Sequence, residues 1–161
     1  SLLTELNGYC SIGLAGVGVA TFQDDAVFNG GTGDFNVSDL ANSQGTLNLQ
    51  DHALVSVGSV SVGKSAGCIG TVNQSGGTVV ANGGVDIASI AGATGTYNLD
   101  GGTLVTLNVV SSSAANSTMN FNGGVLIAGA NSGAFMTNGV QVNVRNAGLI
   151  IDTTNFNVTI S

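Results

Sequence analysis

The chain has 161 residues, enough for one domain, and only two of them are basic, Lys64 and Arg145, against nine acids, for a formal net charge of -7. Binding to nucleic-acid phosphates requires several lysines or arginines, so nucleic acid is excluded as a partner. Glycine is abundant at 26 residues, proline is absent, and only 5% of the residues are aromatic. This composition excludes collagen and proline-rich disorder, and it requires a core of small branched side chains.

Regular structure is expected from about residue 10, after an irregular start over residues 1–9. Copies of one ten-residue pattern begin at Gly45, Gly70, Gly95, Ser117 and Val140. Each copy carries an asparagine at the same position, and these are Asn48, Asn73, Asn98, Asn120 and Asn143. Their spacings of 25, 25, 22 and 23 residues predict a stacked repeat architecture.

Each repeat contains short strands with a period-2 alternation of apolar and polar residues. In residues 95–99, Tyr97 and Leu99 share one face, and Thr96 and Asn98 share the other. The same alternation predicts an inward set of Leu47, Leu49, Tyr97, Leu99, Met119, Phe121, Val142 and Val144. Gln74 breaks this pattern. Bends between the strands are predicted at the glycine pairs Gly76, Gly77, Gly101, Gly102, Gly123 and Gly124.

These features predict an all-β fold, a single right-handed parallel β-helix over residues 1–161 with repeats from about residue 10 and coils of about 22–25 residues. Equivalent strands about 4.8 Å apart give roughly six turns and a rod about 30 Å long. The sequence ends inside an alternating strand, so we expect either a continuation or an edge offered to another copy. No run of about 18 apolar residues is present, so no membrane-spanning helix is predicted.

Two local motifs have plain structural interpretations. Residues 58–65 match the phosphate-binding pattern G-x-x-x-x-G-K-[ST] ending at Lys64 and Ser65, but they fall inside a predicted strand, so we interpret the match as chance. His52 is the only histidine. It aligns with a turn glycine and is expected to be an exposed turn residue, which leaves no histidine cluster for a metal and no hydrolytic triad.

Acidic residues offer an enzymatic alternative. Residues 18–27 align with residues 45–54 at an offset of 27 positions, which stacks Asp51 one coil above Asp24. Two carboxylates about 5 Å apart have the spacing of a retaining glycosidase, although a solvated turn explains the same residues. The calcium-binding nonapeptide spacing is not kept, so no metal and no cofactor are predicted.

The threonines and the cysteines each allow two interpretations. Thr46, Thr71, Thr96 and Thr118 form an outward array that resembles a flat ice-binding face, but threonine also simply suits strands. Cys10 and Cys68 lie about two turns apart, roughly 10 Å along the axis, beyond the reach of a disulfide. They are predicted to be small buried residues, or one of them to form an intermolecular disulfide.

The repeated Gly-Thr-φ-Asn-x-x-Gly-Gly-Thr-φ copies, the φ-x-φ-Gly segments between them and the closing Gly-Leu-Ile-Ile-Asp-Thr-Thr-Asn-Phe-Asn-Val-Thr-Ile resemble the autotransporter-associated β-strand repeats of large bacterial surface and secreted proteins. The resemblance covers most of residues 10–161. It implies a right-handed parallel β-helix exported to the cell exterior, with a structural, adhesive or presentation role.

We therefore expect a non-catalytic, extracellular or cell-surface structural or adhesive β-solenoid. Its expected partners are further copies of itself, joined end to end into fibres, or a cell-surface carbohydrate receptor. The alternative is a carbohydrate-binding or polysaccharide-degrading β-helix that uses the acids on the Asp24/Asp51 face.

Overall fold

The computed structural model describes residues 2–4, 8–113, 116–137, 139–153 and 155–161. These residues form eighteen strands, and no α-helix occurs among them. The strands are β1 (Leu2–Thr4), β2 (Tyr9–Ile12), β3 (Val17–Phe22), β4 (Val27–Asn29), β5 (Asp34–Val37), β6 (Gln44–Leu49), β7 (Leu54–Val62), β8 (Ile69–Gln74), β9 (Thr78–Ile87), β10 (Thr94–Leu99), β11 (Thr103–Thr106), β12 (Val109–Val110), β13 (Ser117–Phe121), β14 (Val125–Ala128), β15 (Ser132–Met136), β16 (Gln141–Val144), β17 (Ile150–Asp152) and β18 (Val158–Ile160). Among the described residues, no helix is long and apolar enough to cross a membrane.

The strands form three parallel stacks around one core, which we call face 1, face 2 and face 3. Face 1 contains β3, β6, β8, β10, β13 and β16. Face 2 contains β1, β4, the first halves of β7 and β9, β11, β14 and β17. Face 3 contains β2, β5, the second halves of β7 and β9, β12, β15 and β18. The chain visits the faces in this order about six times, which confirms the predicted all-β parallel solenoid.

Strand pairing extends below the predicted start of the repeats. The sequence places residues 1–9 outside the regular pattern, but β1 pairs in parallel with β4. In the same lowest coil β2 pairs with β5. This incomplete coil contributes the lowest strands of faces 2 and 3, whereas the lowest described strand of face 1 is β3, one coil higher.

One corner is a residue longer than the repeat alignment predicts. Leu49 pairs with Gln74, and Leu54 pairs with Thr78. Residues 50–53 therefore span the same corner that residues 75–77 span one coil higher. The repeat alignment assumes corners of equal length and so places His52 opposite a turn glycine. Because the corner that contains His52 has one extra residue, that alignment is wrong by one residue. The exposed position predicted for His52 is confirmed, since 87% of its side chain is accessible.

The core consists of the inward side chains of all three faces. Six members of the predicted inward set are buried, namely Leu47, Leu49, Tyr97, Leu99, Met119 and Phe121. The burial expected for Val142 and Val144 is wrong, since they are 43% and 57% exposed. They lie in register with Met119 and Phe121, but their strand β16 is the last strand of face 1, so no described strand covers them.

Three phenylalanines fill the lower part of the core. Each comes from a different face, with Phe22 on β3, Phe28 on β4 and Phe35 on β5. Their ring centroids lie 5.1 to 6.5 Å apart, within the range of favourable aromatic pairs. Aromatic rings therefore fill the lower core, whereas aliphatic side chains at inward positions remain open at the upper end.

Gln74 is an inward polar residue, and its hydrogen bonds explain how the core accommodates it. The Tyr97 hydroxyl donates to Gln74 Oε1 at 2.6 Å, and Gln74 Nε2 donates to the Thr103 carbonyl oxygen at 2.9 Å. Burial raises the pKa of the Tyr97 phenol, so this hydroxyl remains a donor at ordinary pH. The two residues form a satisfied polar pair inside an otherwise apolar core.

Replacing one member of this pair should cost more than replacing both. Tyr97→Phe leaves Gln74 Oε1 buried without a donor, so we expect the free energy of unfolding to fall by about 1–3 kcal/mol. In the double variant Gln74→Leu, Tyr97→Phe neither group remains to be satisfied, so its loss should be smaller than the sum of the single losses. Urea unfolding of the three variants measures this coupling, and strict additivity would contradict the pairing.

Candidate functional site

A continuous row of asparagine amides runs along the outside of face 1. Asn73 Nδ2 donates to Asn48 Oδ1 at 3.0 Å, and Asn98 Nδ2 donates to Asn73 Oδ1 at 2.8 Å. The same contact joins Asn120 to Asn98 at 2.7 Å and Asn143 to Asn120 at 2.9 Å. Each amide therefore donates to the coil below and accepts from the coil above. We call this row the asparagine ladder.

The ladder has different ends. At its lower end Asn48 Nδ2 donates to the Thr21 hydroxyl at 3.3 Å, because Thr21 occupies the ladder position in β3. At its upper end, no described residue donates to Asn143 Oδ1. Two residues earlier in each strand, threonines form the neighbouring outward column, and these are Thr46, Thr71, Thr96 and Thr118. Face 1 therefore has an ordered polar surface.

The predicted turn glycines lie where face 1 meets face 2. Gly77 and Gly102 have φ angles of +65° and +69°, which side chains rarely adopt. A Cβ atom on Gly102 would also overlap the carbonyl oxygen of Gly77 one coil below. In the lower coils Asp24 and Asp51 adopt the same left-handed conformation, with φ of 54° and 53°.

The acidic side chains of this corner interact with residues of the neighbouring coil. Phe22 pairs with Leu49, so the offset of 27 residues stacks Asp51 above Asp24. The Asp51 carboxylate accepts a hydrogen bond from the Asp24 backbone N–H at 3.1 Å. Asp25 and His52 approach to 3.8 Å at almost fully exposed positions. These two side chains of the corner are therefore open to solvent.

A depression of about 320 Å³ lies instead on face 3. We call it the face 3 depression, and its lining includes Ser59, Ser61, Gly84, Asp86, Asn108 and Val110. Two adjacent columns of outward-facing residues, stacked from coil to coil, form this depression. Ser59 pairs with Gly84, and the Val85 N–H donates to the Asn108 carbonyl oxygen in the next coil. The second column places Ser61 beside Asp86 and Asp86 beside Val110.

Asp86 is the titratable residue of the face 3 depression. Its Oδ1 atom is buried, and no described residue hydrogen-bonds to it. Burial raises the pKa of the Asp86 carboxyl, and an interaction with the Ser89 side chain offsets part of that rise. A buried carboxylate oxygen without a donor costs stability. Sequence reasoning missed this residue, because its environment depends on which side chains lie one coil above and below.

The remaining predicted residues are placed as follows. Cys68 is fully buried beside Ala88 and Ala93, so an intermolecular disulfide at Cys68 would require local opening, whereas Cys10 is half-buried.

Lys64 follows strand β7 and lies 3.8 Å from Asp39. The residues that precede it are strand residues and do not form a phosphate-binding loop. Among the described residues, no three His, Cys, Asp or Glu side chains meet as a metal site.

No protein-family model matches this chain, no curated protein matches it, and no solved structure matches it. The six-turn parallel solenoid is nevertheless the architecture expected of a β-helix repeat protein. The site must therefore be interpreted from its own geometry.

Asn98→Asp should weaken the asparagine ladder in a pH-dependent way. The new carboxylate cannot donate to Asn73 Oδ1, so we expect a loss of about 1–3 kcal/mol at pH 7. The facing oxygen raises the pKa of the new carboxyl above its ordinary value of about 3.9. The loss should therefore be absent below about pH 4 and should grow as the pH rises through the raised pKa.

Asn48→Asp is the matched control, because the Thr21 hydroxyl can reverse and donate to the new carboxylate while Asn73 still donates from above. Relative to the unmodified chain, its stability should not fall as the pH rises from 3 to 7, because a carboxylate that accepts two hydrogen bonds is favoured in its charged form. Thermal or urea unfolding across this range compares the two variants, and equal losses in both would contradict a directional ladder.

Gly102→Ala should destabilise the protein by about 1–2 kcal/mol or more, because the left-handed conformation is costly for alanine and the added methyl group overlaps Gly77. Gly133→Ala, in β15, is the control, since nothing lies within 4 Å of the added Cβ and its φ is ordinary. Its stability should be unchanged or raised by up to about 1 kcal/mol. Similar losses in both variants, measured by urea unfolding, would contradict this account.

Proposed function

We propose that the protein is a non-catalytic structural β-solenoid of the bacterial cell exterior, and that its uppermost coil joins the lowest coil of a second copy. The exposed inward side chains of the last coil carry this proposal. The location is supported by the resemblance to autotransporter-associated repeats and by the low charge of the chain, in which only 7% of the residues are charged.

The uppermost coil consists of β16, β17 and β18, each the last strand of its stack. Val142, Val144 and Ile160 occupy positions that are buried one coil lower, yet they are 43%, 57% and 56% exposed. The outer edges of these strands offer backbone N–H and C=O groups that no described strand pairs. A partner that satisfies both features must supply parallel strands with apolar inward side chains.

The lowest coil of a second copy supplies parallel strands at the opposite end of the stacks. Its β1 and β2 are the bottom strands of faces 2 and 3, and their lower edges are likewise unpaired by any described strand. Pairing of β17 with β1 and of β18 with β2 continues both stacks. Among the described residues no strand of face 1 lies in the lowest coil, so this join leaves one strand position unpaired on face 1.

The join predicts a specific fibre geometry. Face 2 contains seven strands per copy, so at about 4.8 Å per strand each copy should occupy about 34 Å along the fibre axis. Electron microscopy over a concentration series, with image averaging, measures this repeat. Fibres with a repeat near 34 Å support the proposal, whereas single particles at every concentration contradict it.

Ile160→Lys should abolish the fibres without unfolding the protein, because this side chain is already largely exposed and a charge where β18 meets β2 would be buried unpaired. Leu40→Lys is the control, since Leu40 is 48% exposed on an interior coil. It should form fibres like the unmodified chain. Loss of fibres in both variants, or in neither, would place the contact elsewhere.

A carbohydrate-active role at the Asp24/Asp51 face is the second candidate and has weaker support. The Asp51 carboxylate already accepts a backbone hydrogen bond, and the corner is open to solvent. General acid and base chemistry on a sugar requires two carboxyl groups facing one bound ring. Neither Asp24 nor Asp51 lines the face 3 depression.

A further inference from the structure

The face 3 depression exists because side chains are missing from its floor. Strands β7 and β9 run from face 2 into face 3, and their register shifts between Val57 and Ser59. Gly83 and Gly84 lie at this point in β9. Gly84 has a φ of +122°, and a Cβ atom there would overlap Asn108 Oδ1. The positive φ favours glycine at this position, and the Asn108 side chain packs directly against it.

The groups around this space include both hydrogen-bond donors and acceptors. The Ser59 hydroxyl donates to Asp34 Oδ1 at 2.5 Å, so its oxygen is left to accept. The Ser61 hydroxyl can do either, and the Asn108 side chain carries one amide donor group and one carbonyl acceptor. Asp86 adds a carboxylate to the lining.

Charge and size restrict the ligand class. Asp86 and Asp34 repel anions, while both basic residues of the chain are engaged elsewhere, Lys64 with Asp39 and Arg145 with Asp100. A bare cation would leave most of the volume to water, since about 320 Å³ corresponds to roughly ten water molecules. The lining has no aromatic ring, so an apolar ligand gains little.

A neutral polyhydroxyl molecule fits these restrictions, because each of its hydroxyl groups both donates and accepts. We propose that the face 3 depression binds one ring of a neutral sugar, with Asp86 accepting from ring hydroxyls and Asn108 and Ser61 completing the contacts. Such a ring can belong to a free sugar or to a cell-surface polysaccharide. This site lies away from the end coils, so it is independent of fibre formation.

The direct test is saturation-transfer NMR with methyl glycosides of glucose, galactose, mannose and N-acetylglucosamine, and with glucuronate as the anionic comparison. At least one neutral glycoside should bind with a Kd of about 1 mM, and glucuronate should bind more weakly. Chains of the same sugar identify a polysaccharide source if they bind more tightly than the single ring.

Variants locate the site. Asp86→Ala and Ser61→Leu should each weaken binding at least tenfold, the first by removing the acceptor and the second by filling the space. Asp24→Asn, at the corner between faces 1 and 2, should leave binding unchanged. Thermal unfolding should show all three variants folded, since Asp86→Ala removes an unsatisfied buried oxygen.

Two results would overturn the proposal. One is the absence of saturable binding by every neutral glycoside of the panel. The other is binding that survives Asp86→Ala and Ser61→Leu, or that is lost in Asp24→Asn, because the ligand would then sit outside the face 3 depression.

Discussion

The rest of the structure depends on the in-register stacking of the coils, which the asparagine ladder fixes on face 1. Strand side chains alternate with a period of two, so a slip of one residue would turn the asparagines inward and the buried leucines outward. A slip would also separate every amide donor from its acceptor. Hydrogen bonds between equivalent side chains therefore add a polar requirement to the apolar one, and the two requirements agree on a single register.

The coils differ in length and sequence mainly outside face 1, where the asparagine ladder does not fix the register. The corner at residues 50–53 holds one extra residue, and β9 compensates with a shift near Gly84. The ladder above and below is unaffected, because the corner and the shift lie outside face 1. The outward residues of face 3 can therefore differ from coil to coil. Gly84 and Asp86, for example, stand beside Ser59 and Ser61 of the coil below. A uniform scaffold on face 1 and a distinct local surface on face 3 are compatible in one chain.

The repeat pattern predicts the architecture because it records two periods at once, alternation within a strand and the return of asparagine after each coil. It also predicts the burial of Tyr97 and Phe121 correctly. It does not predict the exposure of Val142 and Val144, because burial depends on a coil above them and not on the pattern within their own strand. The pairing of Gln74 with Tyr97 and the orphaned oxygen of Asp86 were equally hidden, since each depends on neighbours 23 to 25 residues away.

The most direct test of the stacking is an NMR measurement on the isotopically labelled chain that assigns the side-chain amides of Asn48, Asn73, Asn98, Asn120 and Asn143. The account predicts nuclear Overhauser contacts between each amide and the next along the ladder, with exchange of the Nδ2 protons slowed relative to exposed asparagines such as Asn29. Amides without mutual contacts, exchanging at the rate of free asparagine, would contradict an in-register parallel solenoid.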